Sequence, residues 1–202
     1  MKKLFTILGL LCCSIIVSAQ TINWGVEGGY TLHTISGTGG SYEDGFRAGV
    51  NAQIPLSITG KFYFHTGLSY QYRKQTGVVL VGTDKPSIGV TSDKLHFLHL
   101  PVYVGMEQAV GSEVNLFAEA GPYVEYAIAG NGEYRLENMQ KTETYKPFSA
   151  GSVSRFNWGL GARVGVELFT YVRLSVGYDL GLKTAAYGGK YRSWIFTVGY
   201  MF

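Results

Sequence analysis

The sequence predicts an all-β chain: an eight-stranded antiparallel up-and-down transmembrane β-barrel. Three observations predict it. Apolar residues alternate with small or polar ones, at a period of two, about eight times after residue 20. The chain is 46% hydrophobic and only 15% charged, against roughly 25% charged in an ordinary soluble domain, yet no stretch after residue 20 could cross a bilayer as a helix. The connections between the alternating segments are in turn long and short. Lipid offers the backbone no hydrogen-bond partners, so an apolar chain without spanning helices must pair its strands in a closed sheet.

The first segment stands apart. Met1, Lys2 and Lys3 form a basic start, residues 4–17 are an apolar run, and Val17, Ser18 and Ala19 precede a cut site. This is the layout of a secretory signal peptide over 1–19, and the run is too short for a spanning helix. Residues 20–202 then form the barrel domain. Both cysteines, Cys12 and Cys13, fall in the signal, so the mature chain has no thiol chemistry although its compartment is oxidising. Without Lys2 and Lys3 it carries 15 Lys+Arg against 14 Asp+Glu, a balance of +1. That is no footprint for nucleic acid.

The strands follow in order. The first, 22–34, sets Trp24, Val26, Tyr30 and Leu32 against Asn23, Glu27 and His33. The second, 45–56, sets Phe46, Val50 and Ile54 against Arg47, Asn51 and Gln53. The third, 61–73, sets Phe62, Phe64 and Leu68 against His65, Gln71 and Arg73. In the fourth, 95–107, Leu98, Leu100 and Val104 oppose His99, Tyr103 and Glu107, and Pro101, which cannot donate to a ladder, predicts a bulge. The fifth, 114–128, opposes Leu116, Ala118 and Val124 to Asn115, Glu119 and Glu125, with a break at Pro122. The sixth, 155–168, opposes Trp158, Val164 and Val166 to Asn157, Arg163 and Glu167. The seventh, 171–182, opposes Leu174, Val176 and Tyr178 to Arg173 and Asp179. The eighth, 191–202, carries Trp194, Phe196, Val198, Tyr200 and Phe202 on one face. Long connections fall at 35–44, 74–94, 129–154 and 183–190, and short ones at 57–60, 108–113 and 169–170. Long outer loops and short periplasmic turns mark an outer-membrane barrel, and eight strands put both termini on the periplasmic side.

A soluble barrel also alternates, with its apolar face inside. Here the polar face is rich in Gly, Ser, Asn and Gln with scattered charges, unlike a water-facing surface, and small residues suit the crowded lumen of eight strands. The apolar face carries Trp24, Phe62, Tyr72, Trp158, Tyr178, Trp194, Tyr200 and Phe202 near strand ends, as interfacial girdles do.

The C-terminal run Trp194, Phe196, Val198, Tyr200, Phe202 resembles the signal by which the barrel-assembly machinery recognises its substrates. The segment Leu98-His99-Leu100-Pro101-Val102 resembles the leucine–x–isoleucine–proline–leucine stretch of the outer-membrane β-barrel (porin-like) domain family, with His99 where an acid is frequent and Leu100 for isoleucine. Glycines at alternate positions over 159–166 are also similar. The resemblance implies outer-membrane residence, contact with outer-membrane lipid and the assembly machinery, and no catalytic residues.

The lumen face gathers Glu27, Arg47, His65, Glu119, Arg163, Glu167, Arg173 and Asp179, with Glu107, Glu125, Arg73 and His99 alongside. This reads as a paired charge plug, the alternative being a polar pathway. Facing residues of an antiparallel hairpin share a face, so the turn at 169–171 sets Glu167 opposite Arg173, and equal depths bring Glu119 near Arg163. His33, His96 and His99 form no His–x–Ser constellation, His96 and His99 face opposite sides, and Gly37, Gly39 and Gly40 precede no helix. No catalytic, cofactor-binding or metal site is expected. The expected role is a non-enzymatic scaffold or a surface-loop binder, with specificity in 74–94 and 129–154; the alternatives are a small-solute channel and a lipid A-modifying enzyme.

N-terminal sequencing of the protein recovered from cell envelopes should begin at Gln20. A chain still starting at Met1 would remove the signal peptide from this account.

Overall fold

A computed structural model of the chain describes residues 22–36, 41–56, 61–81, 87–136, 142–149, 153–184 and 188–202. The expected signal peptide and the tips of the long loops lie outside the described residues. Nine strands are present among them: β1 (Asn23–Ile35), β2 (Glu43–Pro55), β3 (Phe62–Val81), β4 (Ser87–Ala109), β5 (Val114–Leu136), β6 (Thr142–Tyr145), β7 (Phe156–Leu168), β8 (Val172–Gly181) and β9 (Tyr191–Met201). Every pairing is antiparallel. Eight strands close on themselves in the order β1-β2-β3-β4-β5-β7-β8-β9, with β9 returning to β1, while β6 adds only to the far end of β5.

Following cross-strand partners once around fixes the geometry. The path from Phe62 runs through Met106, Ala118, Val164, Val176, Phe196, Tyr30 and Phe46 and returns to β3 at Tyr72, ten residues further along. With a rise of ~3.3 Å per residue and strands ~4.8 Å apart, this stagger tilts the strands by about 40°. A barrel of eight strands at that tilt has room for side chains and little else.

The alternation is inside-out relative to a soluble protein. Trp158, Val164 and Val198 are 43%, 61% and 59% exposed, whereas Arg163 and Glu119 are 3% and 4% exposed. An apolar exterior of this extent is a lipid-contact surface. Its aromatics gather at both ends. Trp24, Phe62, Tyr171 and Tyr200 lie toward the short turns; Tyr30, Phe46, Tyr126, Phe156 and Trp194 lie toward the long loops.

The turn between β7 and β8 is tight. At the β7–β8 turn, Tyr171 N–H donates to the Leu168 carbonyl at 3.2 Å, and Phe169 and Thr170 both take positive φ, 55° and 69°. This turn shape follows strand twist, yet it favours Asn-Gly; a β-branched threonine there is strained.

Two expectations need correction. The stretches read as loops at 74–94 and 129–154 are largely strand: β3 and β4 stay paired from Lys74↔Lys94 to Val81↔Ser87, and β5 runs on to Leu136 with β6 beside it. The apolar alternation reports contact with lipid and stops where the lipid stops. Backbone pairing continues past Lys74 and Lys94, where the sequence no longer alternates: residues 74–76 are all polar and 78–81 all apolar. The bulge is not at Pro101. There the β3–β4 ladder lapses opposite Gly67 and Leu68 but resumes in register, and Thr66 Oγ1 donates to the Pro101 carbonyl at 2.9 Å. The register shift lies at His96/Phe97, where Ile128 is the extra residue on β5.

Two substitutions test this architecture by equilibrium unfolding in lipid vesicles. Val164→Arg, outward near the middle of β7, should cost about 2–4 kcal/mol; a neutral result would place that face in water. Thr170→Gly should stabilise by about 1 kcal/mol by relieving a left-handed residue, and a loss of stability would refute the turn.

Candidate functional site

The alternation that turns valine and leucine outward delivers a polar side chain to the lumen at every second position, and burial there forces these groups to pair with one another. They do so in two tiers.

The tier toward the short turns centres on Arg163 and Glu119, cross-strand partners on β7 and β5. Arg163 Nη1 lies 3.1 Å from Glu27 Oε2 on β1 and 3.8 Å from Glu119 Oε1. His65 Nδ1 is 2.8 Å from Glu119 Oε2, and the Tyr63 hydroxyl donates to the same oxygen at 3.2 Å. Arg173 donates to Tyr63 Oη at 3.0 Å, lies over the Phe117 ring at 3.7 Å, and sits opposite Glu167, 3.6 Å away. Below this tier a cavity of about 620 Å³ opens at the turn end, lined by Asn23, Gln53, Tyr63, Glu107, Asn115 and Glu167 among others. Asn115 donates to Glu107 at 2.6 Å.

The second tier lies toward the long loops. Arg47 on β2 spans the lumen to Asp179 on β8 at 2.7 Å, and also donates to Gln71 at 2.8 Å. Tyr103 donates to Asp179 at 3.3 Å. Glu125 accepts from Arg73 and from Asn157, at 3.0 Å for the latter, and stands 3.1 Å from His99 Nδ1. All four lumen arginines therefore reach a carboxylate. Removing one partner from such a buried pair costs about 3–5 kcal/mol, because the other charge is stranded.

Above the second tier the lumen turns apolar. Ile35, Leu95, Phe97, Ala127, Val153 and Tyr191 form one buried cluster, with Phe148 packed against it. The Arg73 guanidinium lies between the Phe97 and Tyr191 rings, 4.8 and 4.7 Å from their centres, which seats the ionic tier directly against the apolar plug.

The eight lumen residues singled out from the sequence all face inward, but in separate groups. Arg163, Glu27, Glu119, His65, Arg173 and Glu167 belong to the first tier, and Arg47 and Asp179 to the second. The sequence reading missed the full role of Arg73, Glu125 and the lumen tyrosines, and missed the plug. The plug left one trace: Leu95, Phe97 and Leu98 break the alternation with apolar residues on both faces. Trp194, Phe196, Val198, Tyr200 and Phe202 all point outward and are exposed.

The histidines are all engaged structurally. His33 Nε2 is 2.6 Å from the Lys74 carbonyl, His96 pairs with Tyr70 on the outer surface, and His65 and His99 pair with glutamates. Among the described residues none is hydrogen-bonded to a serine, and no cluster of three His, Cys, Asp or Glu side chains could hold a metal ion.

The chain is similar in fold to the attachment invasion locus protein Ail of Yersinia pestis, with 12% identity, 89% of this chain and 98% of that one covered, and a TM-score of 0.45. It is also similar to Neisserial surface protein A, with 14% identity, coverage of 89% and 95%, and a TM-score of 0.49. The outer membrane enzyme PagL follows with 13% identity, coverage of 88% and 97%, and a TM-score of 0.43. No curated protein matches in sequence. The sequence profile of the family described as outer membrane protein beta-barrel domain matches residues 18–186. With most of its length under that profile and a closed eight-stranded barrel, the chain belongs to the outer membrane protein beta-barrel domain family.

Proposed function

We propose that this outer-membrane barrel is a non-enzymatic scaffold that presents its loop-end sheet, built from β3, β4, β5 and β6, for binding at the cell surface. The observation that carries the reading is the filling of the lumen. Two tiers of paired ions and an apolar plug follow one another along the barrel axis, and Arg47, Arg73, Tyr103, Tyr123, Phe97 and Tyr191 are all fully buried inside it. A solute would have to separate buried ion pairs and then displace packed rings.

In this reading residues 1–19 are removed, both ends of the barrel domain are periplasmic, and the loop end faces outward. Both ends of the described barrel lie at the turn end, where Asn23 and Phe202 line one cavity with Tyr63 and Thr170, which fits that orientation. The outward run ending at Phe202 serves the assembly machinery, and the apolar exterior contacts outer-membrane lipid. β3, β4 and β5 outrun the other strands at the loop end, so any surface ligand meets them first. A lipid-modifying reading lacks support in the histidines, which are bound to backbone, tyrosine or glutamate.

Reconstituted into a planar bilayer, the purified protein should give no steady, sizeable conductance. Steady openings would overturn the scaffold reading in favour of a small-solute channel. Altered lipid A on overexpression would do the same in favour of an enzyme.

A further inference from the structure

Just beyond the loop-end aromatic belt, the outer surface sets two like charges opposite each other. Tyr72 on β3 faces His96 on β4, and one pleat further from the barrel Lys74 faces Lys94. Both lysines are exposed, on the same outer face as Tyr70, Tyr72 and His96. Like charges on directly opposed strand residues repel and destabilise a sheet. Glu133 approaches Lys94 at 3.8 Å with both side chains about half exposed, a weak attraction at that exposure. Among the described residues no carboxylate pairs with Lys74.

The floor of this patch is ordered. Tyr70 Oη lies 2.5 Å from His96 Nδ1, and the Tyr70 and Tyr72 rings are 5.9 and 5.4 Å from the imidazole. Where the Tyr70 hydroxyl donates to Nδ1, the imidazole proton is carried on Nε2, an N–H donor. Phe46 stacks on Tyr72 at 5.5 Å and continues the belt. Such aromatics lie at the headgroup level of a bilayer, which sets the two ammonium groups at the depth of lipid phosphates. Below them the same strands present Leu68, Leu98 and Leu100 outward, a wall for acyl chains.

We propose that Lys74, Lys94 and His96 bind the phosphate of an outer-leaflet glycolipid, the phosphorylated glucosamine headgroup of lipopolysaccharide, with its acyl chains lying along Tyr70, Leu98 and Leu68. The inference rests on the reading that the loop end faces outward. The cations alone would suit any phosphate. The apolar wall continuous with them selects a lipid, because a free ion would make no use of it.

The test titrates the protein in zwitterionic micelles with bisphosphorylated lipid A and follows the unfolding midpoint by heat-modifiable migration. Three proteins are compared: the wild type, the double variant Lys74→Gln/Lys94→Gln, and Lys61→Gln, which removes a cation at the turn end. Lipid A should raise the midpoint of the wild type and of Lys61→Gln, with apparent affinity at least tenfold weaker in the double variant. Dephosphorylated lipid A and inorganic phosphate should leave every midpoint unchanged. Without lipid the double variant should unfold at or above the wild-type midpoint, since a repulsion is gone. A lower midpoint would make the lysines structural and overturn the proposal. An equal response of wild type and double variant, or of phosphorylated and dephosphorylated lipid, would overturn it too. An inorganic phosphate response as strong as that to lipid A would overturn the lipid as the ligand. Labelling Lys74→Cys on intact cells with an impermeant maleimide separates the two readings. An unlabelled cysteine removes the outward orientation itself, whereas a labelled one with no lipid A response removes only the phosphate site.

Discussion

The structure depends on charge pairing across a closed lumen. Turning apolar groups toward lipid takes most of the charged groups in the middle of the lumen away from bulk water, so a charge there is costly unless it finds a partner on another strand. The partners are mostly not neighbours in the sheet. Arg47 and Asp179 join β2 to β8, Arg163 and Glu27 join β7 to β1, and Arg73 and Glu125 join β3 to β5. Hydrogen bonds of the ladder set the circumference of the barrel, while these ties cross its bore and set its section. A register slip of one residue would send a whole row of ions into lipid and a row of leucines into the lumen. The charges thereby specify the barrel more strongly than they stabilise it.

The sequence exposes this arrangement wherever a strand has lipid on one side. Period-two alternation locates β1, β2, β7, β8 and β9 to within one or two residues, because each is about as long as the membrane is thick. Parity alone relates Glu167 to Arg173, since the three residues 169–171 between Leu168 and Val172 leave no freedom in the count. The same signal cannot report strand beyond the lipid, and so the outer halves of β3, β4 and β5 read as loop. Pairing across the bore is also hidden. That Arg47 chooses Asp179 and Arg73 chooses Glu125 follows from the stagger of ten residues and from which tier each side chain reaches, and neither is written in local spacing. The plug is hidden for a related reason. Val153 and Phe148 come from the long connection between β6 and β7 and fold back onto Leu95 and Phe97, a contact with no periodicity.

The unequal strand lengths divide the molecule into two environments. The membrane part is held from outside by lipid and from inside by ions. The outer part, where β3 and β4 continue beyond Arg73, loses β2 as a neighbour; there Glu43 reaches up to accept from Thr76 N–H at 2.7 Å. Tyr145 on β6 donates to Asp93 on β4 at 2.6 Å, tying the added strand across the sheet. This region draws its order from its own ladder and from such side-chain bonds, and through Leu95, Phe148 and Val153 it also supplies the apolar plug of the lumen.

Filling a narrow bore without voids is the last requirement, and tyrosine opposite glycine meets it. Tyr63 faces Gly105 and Tyr123 faces Gly159 across their strand pairs, and the Tyr103 hydroxyl reaches Gly161. A Cβ at Gly105, Gly159 or Gly161 would collide with these rings, so the glycines are the space the rings occupy. Each ring covers the bare backbone opposite, as aromatics do for strand glycines. Two of the rings also carry a hydroxyl into the ionic tiers: Tyr63 to Glu119 and Tyr103 to Asp179. One residue type thus supplies both the volume that excludes water and a donor that the excluded water would have provided. A lumen of aliphatic residues could fill the bore but not satisfy the carboxylates, and one of small polar residues could satisfy them but would admit water. The ion-paired packing of the middle of the bore follows from combining the two in one side chain.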